Sequence, residues 1–262
     1  MKLSFIGTGN MGGAIVRALC GAGQQDICLS NRSPAKAEAL AAELGCRVCS
    51  NNRDCARDAD IIFLGVKPAG VAAVLRELAP VLRPEQMIVS MAAGVTGETM
   101  RAALGTGNPL VRILPNTPCA IGKGLMLLAP CGEADAERLE ALRTLLAPCG
   151  MTAMTDEAHA DAGMVIGGCT PAYTYMFIEA LADGAVLSGL SRADALAWAA
   201  QAVAGAAELL LDSGKHPGTL KDAVCSPGGS TIEGVRVLEH SGFRGAVMEA
   251  IAAAWDKNRR LG

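Results

Sequence analysis

The stretch Phe5-Ile6-Gly7-Thr8-Gly9-Asn10-Met11-Gly12-Gly13-Ala14 determines how the rest of the chain is organised. Residues 2–6, which lead into the glycines, are mainly apolar and predict a β-strand, and residues 11–19 predict a helix. The glycines between them have the spacing G-x-G-x-x-G. A strand, this loop and a helix in direct succession favour a dinucleotide-binding turn over an ordinary glycine-rich turn.

Each glycine of this loop has its own physical role. Gly7 permits the tight turn out of the strand, Gly9 removes the Cβ that would block a pyrophosphate, and Gly12 lets the helix pack closely on the sheet. The helix N-terminus adds free N–H groups and the positive end of a dipole. We therefore expect cofactor contacts from the whole loop, namely Gly7, Thr8, Gly9, Asn10, Met11 and Gly12.

The second predicted strand, residues 26–30, ends where a ribose-binding residue is expected, about 20 residues after the loop. An NAD site usually has an acidic residue there, but this chain has Asn31, Arg32 and Ser33. An amide, a guanidinium and a hydroxyl suit a 2′-phosphate, so NADPH is favoured and NADH stays possible. The alternative is an ordinary loop in which Ser33 caps a helix that begins at Pro34.

Strands and helices alternate as far as residue 154. The predicted strands cover residues 2–6, 26–30, 47–50, 59–66, 87–91, 110–114, 125–128 and 151–154, and the predicted helices cover 11–19, 34–44, 54–58, 68–79, 96–104 and 134–147. This alternation is typical of an α/β Rossmann-type fold with a doubly wound parallel sheet. Beyond Thr155 the periods are helical only, including 157–166, 171–187 and 192–211. We expect two domains, residues 1–154 and 155–262.

The predicted helix over residues 192–211 is apolar on nearly all of its faces. Such a helix needs packing partners on every side, and a second copy of the chain would supply them. The C-terminal domain is therefore expected to be all-helical and to mediate homodimer formation.

The composition excludes several classes of protein. The 262 residues carry a formal charge of −3, which gives no electrostatic footprint for nucleic acid. The longest uncharged run, residues 162–178, is slightly short of a bilayer span. The first predicted strand begins at residue 2, where a leader would otherwise lie, so we expect a soluble, cytoplasmic protein without membrane partners.

The chain has ten cysteines, which are scattered through predicted strands and helices and are expected to be free thiols. Cys46 and Cys49 form the one C-x-x-C, but they lie in a predicted strand, whereas a redox motif begins a helix. Neither a second C-x-x-C nor a nearby histidine completes a zinc set. We expect this pair to be structural and expect no metal site.

Ligands of open α/β sheets bind beyond the carboxyl ends of the strands. Apart from the segments already named, the candidates at these ends are Val66, Lys67, Pro68, Ala92, Ala93, Gly94, Asn116 and Thr117. Lys67 is the one charged candidate for a catalytic role. The alternative is a solvated loop lysine or a contact to a cofactor phosphate. Asn116 and Thr117 either bind the nicotinamide or ribose or form an Asx-turn before Pro118.

The segment Ser226-Pro227-Gly228-Gly229-Ser230-Thr231 stands out in the helical part. Two glycines expose N–H groups just before a predicted helix over residues 230–239, hydroxyls surround the turn, and the turn has no acidic side chain. This combination suits an anion-binding turn of the size of a carboxylate. On these residues alone, a plain turn with an N-cap is still favoured.

With this segment the whole chain resembles the Δ1-pyrroline-5-carboxylate reductase family. The similarity lies in 224–231, nearly the full family signature, and in Gly7–Gly12, Val66-Lys67-Pro68, Ala92-Ala93-Gly94-Val95, Pro115-Asn116-Thr117-Pro118 and 177–184. The resemblance implies an NAD(P)H-dependent enzyme that reduces the cyclic imine 1-pyrroline-5-carboxylate to L-proline, the last step of proline biosynthesis. It also implies a homodimer interleaved through the C-terminal helices, which in the family is often assembled into larger rings.

The resemblance also assigns the substrate-binding residues. The imine carboxylate would bind Ser226, Gly228, Gly229, Ser230 and Thr231, and the Thr231 hydroxyl would meet the ring nitrogen as the catalytic contact. An imine is readily protonated and needs no dedicated base, so a site without a strong acid or base suits this reaction.

One segment departs from the family pattern. The family commonly has Ser-Gly-Ser-Gly before Pro171, whereas this chain has Gly167-Gly168-Cys169-Thr170. Three alternatives therefore stay open: a reductase of a related cyclic imine, a β-hydroxyacid dehydrogenase and a non-catalytic NADP-binding relative. The dehydrogenase would need a lysine base, and residues 164–178 contain none.

Overall fold

A computed structural model describes residues 1–132 and 135–260. Its strands are β1 (Leu3–Ile6), β2 (Ile27–Ser30), β3 (Arg47–Val48), β4 (Ile61–Leu64), β5 (Met87–Ser90), β6 (Leu110–Pro115), β7 (Gly124–Pro130) and β8 (Gly150–Met154). Its helices are α1 (Asn10–Gly21), α2 (Pro34–Leu44), α3 (Asn52–Arg57), α4 (Pro68–Leu78), α5 (Gly97–Leu104), α6 (Ala136–Leu146), α7 (Glu157–Leu187), α8 (Arg192–Ser213), α9 (Pro217–Ala223), α10 (Ser230–His240) and α11 (Phe243–Arg259).

The predicted strand and helix order is confirmed, with ends that shift by a few residues. The predicted helix over 134–147 is found as α6, and its first predicted residue, Ala134, lies outside the described residues. Beyond residue 155 the described chain is entirely helical apart from turns, as predicted.

The eight strands form one sheet in the order β3-β2-β1-β4-β5-β6-β7-β8. Neighbours from β3 to β6 are parallel, β6 and β7 are antiparallel, and β7 and β8 are parallel. The expectation of a wholly parallel sheet is therefore wrong at β7. Only the short segment from Asn116 to Lys123 joins β6 to β7, and a parallel connection needs a crossover of a dozen or more residues.

The sheet is buried on both faces, which explains why β1, β2, β4 and β5 are apolar without alternation. One face packs against α1, α2 and α6, and the other packs against α4 and α5. Phe5 and Phe63 stack on neighbouring strands with their ring centroids 4.4 Å apart. Packing of the core therefore holds the carboxyl ends of the parallel strands side by side at one edge of the sheet.

Helix α7 is continuous, whereas the sequence predicted two helices over 157–166 and 171–187. Pro171 lies inside it. Because proline has no N–H, the carbonyl of Gly167 four residues earlier loses its intrahelical donor. The side chain of Asn116 replaces it, since Asn116 Nδ2 donates to the Gly167 oxygen at 3.0 Å.

The described chain forms two compact units. One comprises Met1–Gly168 together with the residues from Trp255 onward, and the other comprises Cys169–Ala254. The predicted domain boundary at residues 154 and 155 stays a prediction; the division between the two compact units, after Gly168, falls inside the continuous helix α7.

Helix α8 exposes much of its apolar surface in the single chain. Ala195 is buried in it, while large apolar side chains such as Leu196, Trp198, Leu209 and Leu211 are exposed. Of the described helices, α8 passes a test for membrane spans that considers only length and composition. A soluble helix covered by a partner passes the same test.

Candidate functional site

The glycine loop between β1 and α1 has a backbone that requires glycine at two positions. Gly7 has a φ of +96°, and a Cβ on it would lie 2.6 Å from the carbonyl oxygen of Gly65. A Cβ on Gly12 would lie 2.5 Å from the carbonyl oxygen of Gly7. Both contacts are with backbone, which cannot move aside cheaply. These glycines therefore hold the loop against the end of β4 and against α1.

Gly9 differs from both, because a Cβ built on it meets no atom within 4 Å. It is the N-cap of α1, without a side-chain cap, and the first turn of this fully described helix contains no acidic residue. The first N–H groups of a helix have no intrahelical acceptor, so those of Asn10, Met11 and Gly12 are directed beyond the helix end. The space beside Gly9 and these donors suit an anion such as a pyrophosphate.

Asn31, Arg32 and Ser33 follow β2 at the same edge of the sheet. Arg32 is exposed and makes no ion pair with the residues that the structure describes. Ser33 is the N-cap of α2, which begins with Pro34, but its hydroxyl makes no capping hydrogen bond. The predicted helix start is therefore found, while the guanidinium and the hydroxyl stay available to a ligand. Asn31 Nδ2 donates to the Ser33 carbonyl at 3.3 Å.

The next two strand ends contribute backbone and one lysine. Lys67 is exposed at the N-cap of α4, which begins with Pro68, and Val66 precedes it. After β5, Ala92 is buried and Ala93 is exposed, and Gly94 turns the chain with a φ of +70°. The structure thus lines up these predicted positions with the glycine loop along the carboxyl edge of the sheet.

Asn116 at the end of β6 is used within the protein itself. Its Nδ2 donates to the Gly167 carbonyl at 3.0 Å, and its Oδ1 accepts the Leu125 N–H at 2.9 Å. It therefore joins the turn after β6 to the start of β7 and to the proline break of α7. Neither bond is the predicted Asx-turn before Pro118. Thr117 beside it is exposed.

Arg112 is a residue that the sequence reasoning missed. Its side chain is 2% exposed, and it pairs with Glu157 Oε1 at 3.1 Å and Asp161 Oδ1 at 3.0 Å. Glu157 also accepts the Gly97 N–H at the start of α5. An arginine in an otherwise apolar strand signals a buried charge that needs a carboxylate. This pairing anchors the beginning of α7 beside β6.

The second predicted site lies in the other unit. Gly229 N–H donates to the Ser226 carbonyl at 3.0 Å, and Gly228 has a φ of +67°, so Ser226–Gly229 form a turn with proline and glycine at its centre. Gly229 is the N-cap of α10 and makes no side-chain cap. Among the described residues no acceptor is found for the N–H groups of Ser230 and Thr231.

The structure changes the expected role of Gly229 within this turn. Its N–H is used internally, so it is not one of the exposed donors that the sequence suggested. A Cβ on Gly229 would collide with Ser226 Oγ. The anion-binding groups are therefore the first amides of α10 and the surrounding hydroxyls. Thr231 is exposed, and Glu233 in the same first turn is paired with Arg236 at 2.9 Å.

Two family models match the chain. Residues 2–94 match a model described as NADP oxidoreductase, coenzyme F420-dependent, and residues 157–261 match one described as pyrroline-5-carboxylate reductase dimerisation. A pyrroline-5-carboxylate reductase of Escherichia coli (strain K12) is 41% identical over 99% of this chain and 98% of its own length. The chain belongs to the pyrroline-5-carboxylate reductase family. The predicted family is thereby confirmed.

Further pyrroline-5-carboxylate reductases agree over the full length. The protein of Methanosarcina acetivorans is 38% identical over 100% of this chain and 98% of its own. The solved structure from Coxiella burnetii has a TM-score of 0.94 at 30% identity and covers 100% of this chain and 98% of that one. The Plasmodium falciparum structure, solved with NADP bound, has a TM-score of 0.86 at 30% identity and covers 100% and 98%.

A more distant structure shares the fold alone. The 3-hydroxyisobutyrate dehydrogenase of Mycobacterium tuberculosis is 19% identical with a TM-score of 0.56 and covers 72% of this chain and 66% of that one. Its similarity to this chain concerns the fold and gives no support to a dehydrogenase activity.

Proposed function

We propose that this reductase-family chain reduces 1-pyrroline-5-carboxylate to L-proline, with NADPH as the hydride donor. The observation that carries the proposal is full-length identity of 38–41% to pyrroline-5-carboxylate reductases from a bacterium and an archaeon. The geometry is compatible with the reaction, because both predicted anion sites are helix N-termini without an unpaired acidic side chain in their first turns.

The cofactor would be held along the carboxyl edge of the sheet. The pyrophosphate would meet the amides of Asn10, Met11 and Gly12 beside Gly9, because a helix N-terminus is combined there with open space. Arg32 and the free Ser33 hydroxyl would bind the 2′-phosphate, as a planar guanidinium does well. The further cofactor positions would be Gly7, Thr8, Asn31, Val66, Lys67, Pro68, Ala92, Ala93, Gly94, Asn116 and Thr117. Bound NADPH would supply the hydride.

The substrate carboxylate would accept hydrogen bonds from the turn that begins α10. The amides of Ser230 and Thr231 and the hydroxyls of Ser226 and Ser230 are its donors, while Gly228 and Gly229 shape the turn. The Thr231 hydroxyl would orient the ring nitrogen of the imine. Arg236 pairs with Glu233 in the first turn of α10, which reduces the repulsion between this carboxylate and the substrate.

We further propose that the protein is a cytoplasmic homodimer in which the C-terminal helices form the interface. The support is the apolar, exposed surface of α8 and the match of residues 157–261 to a dimerisation model. A second copy of the chain accounts for this surface better than lipid, since α8 also carries Asp194, Gln201 and Asp212.

The test is NADPH oxidation with pyrroline-5-carboxylate, compared with pyrroline-2-carboxylate and with piperideine carboxylates. Preferred turnover of pyrroline-5-carboxylate to proline supports the proposal. Preference for another imine would identify the related reductase, to which the changed segment Gly167–Thr170 gives some support. Tight NADPH binding without turnover of any imine would establish the non-catalytic alternative.

A further inference from the structure

Three cysteines converge near the β3 edge of the sheet, between β2, β3 and α3. Cys28 lies in β2, Cys49 directly follows β3, and Cys55 lies in α3. Their three Sγ atoms all lie within 4.8 Å of one another. Cys28 and Cys55 are buried and Cys49 is half-buried, so the group is reached from the side of Cys49. We call these three residues the thiol cluster.

The cluster lines a small cavity of about 30 Å³. The remaining lining residues come from the beginning of β1, the start of β3, α3 and the segment before β4, and the charged ones are Lys2, Arg47, Asp54 and Asp58. A volume of this size accommodates about one ion or one water molecule. Ser4 in β1, which is fully buried and has a hydroxyl without a hydrogen-bond partner, lies beside Cys55. The site is therefore polar, small and connected to the surface.

The C-x-x-C motif does not indicate which cysteines lie together in the fold. Its two cysteines do not act together, because Cys46 Sγ lies 3.7 Å from Cys20 Sγ, whereas Cys49 joins Cys28 and Cys55. The spacing along the sequence alone gave no reason to group residues 28, 49 and 55. Parallel pairing of β2 with β3 brings the first two together, and α3 adds the third.

Three thiolates around one zinc ion, with Zn–S bonds of about 2.3 Å, lie about 3.8 Å from one another. In the ligand-free chain Cys28 Sγ and Cys49 Sγ are 2.6 Å apart, and the whole cluster spans no more than 4.8 Å. Small rotations of the Cys28 and Cys49 side chains therefore suffice to reach the metal-bound spacing. Thiolate ligands select zinc and other soft cations over magnesium or calcium.

We propose that Cys28, Cys49 and Cys55 bind one thiophilic divalent cation of the zinc class in this cavity, with a water molecule from the solvent side, where Cys49 is half-buried, as the fourth ligand. The cation links β2, the end of β3 and α3, and so stabilises this edge of the sheet. The cation has no direct part in the proposed reduction, because none of the residues proposed to hold the cofactor lines this cavity.

The test uses the full chain, freed of metal by a chelator and kept in a reductant that does not bind metal. Co²⁺ serves as the probe, because cobalt–thiolate charge-transfer bands report sulfur ligation directly. We expect one equivalent of Co²⁺ to produce these bands and Zn²⁺ to abolish them by displacement. Cys49→Ser should lose the bands, whereas Cys46→Ser, a matched change in the neighbouring thiol pair, should retain them. Zn²⁺ should raise the melting temperature of the wild type and of Cys46→Ser but not that of Cys49→Ser.

A second measurement needs no variant and so does not depend on the folding of one. Zn²⁺ should protect Cys49, the half-buried thiol of the cluster, from alkylation in the wild type, while the equally half-buried Cys20 and Cys46 are modified to the same extent with and without the ion. The protein should bind NADPH with the same affinity with and without Zn²⁺. The outcome for the metal site is therefore independent of the outcome for the proposed reductase activity. Absence of the bands, bands that persist in Cys49→Ser, protection of other cysteines, or a Cys28–Cys49 disulfide in the reduced preparation would each overturn the metal site.

Discussion

The three glycines of the first loop should respond differently to the same substitution, and Gly9→Ala is the decisive one. A Cβ at Gly9 meets no atom within 4 Å, and the backbone there has a φ of −69° and a ψ of −168°, which alanine adopts freely. The fold should therefore tolerate the change. If a pyrophosphate approaches this position, however, the added methyl group occupies its place.

The expected magnitudes follow from these contacts. Alanine loses less entropy on folding than glycine, a gain of about 0.4–1 kcal/mol, but it is a poorer N-cap by a similar amount, so unfolding free energy should change by less than about 1 kcal/mol. Loss of two charge-assisted hydrogen bonds from the helix amides would weaken NADPH binding by about 3–6 kcal/mol, or roughly 10²- to 10⁴-fold in Kd. Gly12→Ala should instead destabilise the fold by about 1–3 kcal/mol or more, because its Cβ would lie 2.5 Å from the Gly7 oxygen.

The assay combines thermal unfolding with NADPH fluorescence titration on the same preparations. Gly21→Ala is the control, since it lies at the other end of α1 and its Cβ also meets open space. The melting temperature of Gly21→Ala should equal or exceed that of the wild type, and its NADPH affinity should equal that of the wild type. If Gly9→Ala binds NADPH as tightly as this control, the pyrophosphate does not bind at the start of α1 and the cofactor proposal fails.

Four further changes test the other parts of the proposal. Arg32→Ala should weaken NADPH by about 1.5–3 kcal/mol, the contribution of one charge-assisted bond, and NADH far less; equal losses would refute the 2′-phosphate contact. Thr231→Val should lower kcat/KM about 10- to 100-fold and Thr231→Ser much less, and an equal loss in both would indicate a steric role instead of a hydrogen bond. Asn116→Asp keeps the acceptor for Leu125 but loses the donor to Gly167, so chemical denaturation should show a loss of about 1–3 kcal/mol; unchanged stability would exclude the positioning role. Sedimentation of the wild type should show no stable monomer at micromolar concentration, and Trp198→Asp should shift it toward monomer; an active wild-type monomer would contradict the proposed interface.

The fold followed from local patterns because each of its signals is short-range. Proline at the first position predicted α2 to the residue, from Pro34 to Leu44, and runs of apolar residues marked the buried strands. What the sequence did not predict is the direction of β7, since strand periodicity does not contain orientation. The connection after Pro115 is too short for a crossover, so its length requires β7 to run antiparallel to β6.

The candidate site was predictable to the same degree. The glycine loop, the residues after β2 and the turn before α10 were identified because backbone requirements give them recognisable glycines, prolines and hydroxyls. Arg112 and its carboxylate partners were missed because they are 45 and 49 positions apart in the chain. The arginine and the two carboxylates come together because α7 begins beside β6 in the folded chain.

The proline inside α7 breaks the rule that a proline ends a helix, and its position indicates where the helix needs a hydrogen bond from elsewhere in the chain. Proline normally ends a helix, so two helices were expected, yet the helix continues and one carbonyl, that of Gly167, needs a new donor. Asn116 supplies this donor from the end of β6 and with its other atom holds the start of β7. Three segments far apart in the sequence are thus fixed by one amide. This explains why an asparagine at a strand end, which seemed suited to a ligand or to a local turn, is required first by the fold.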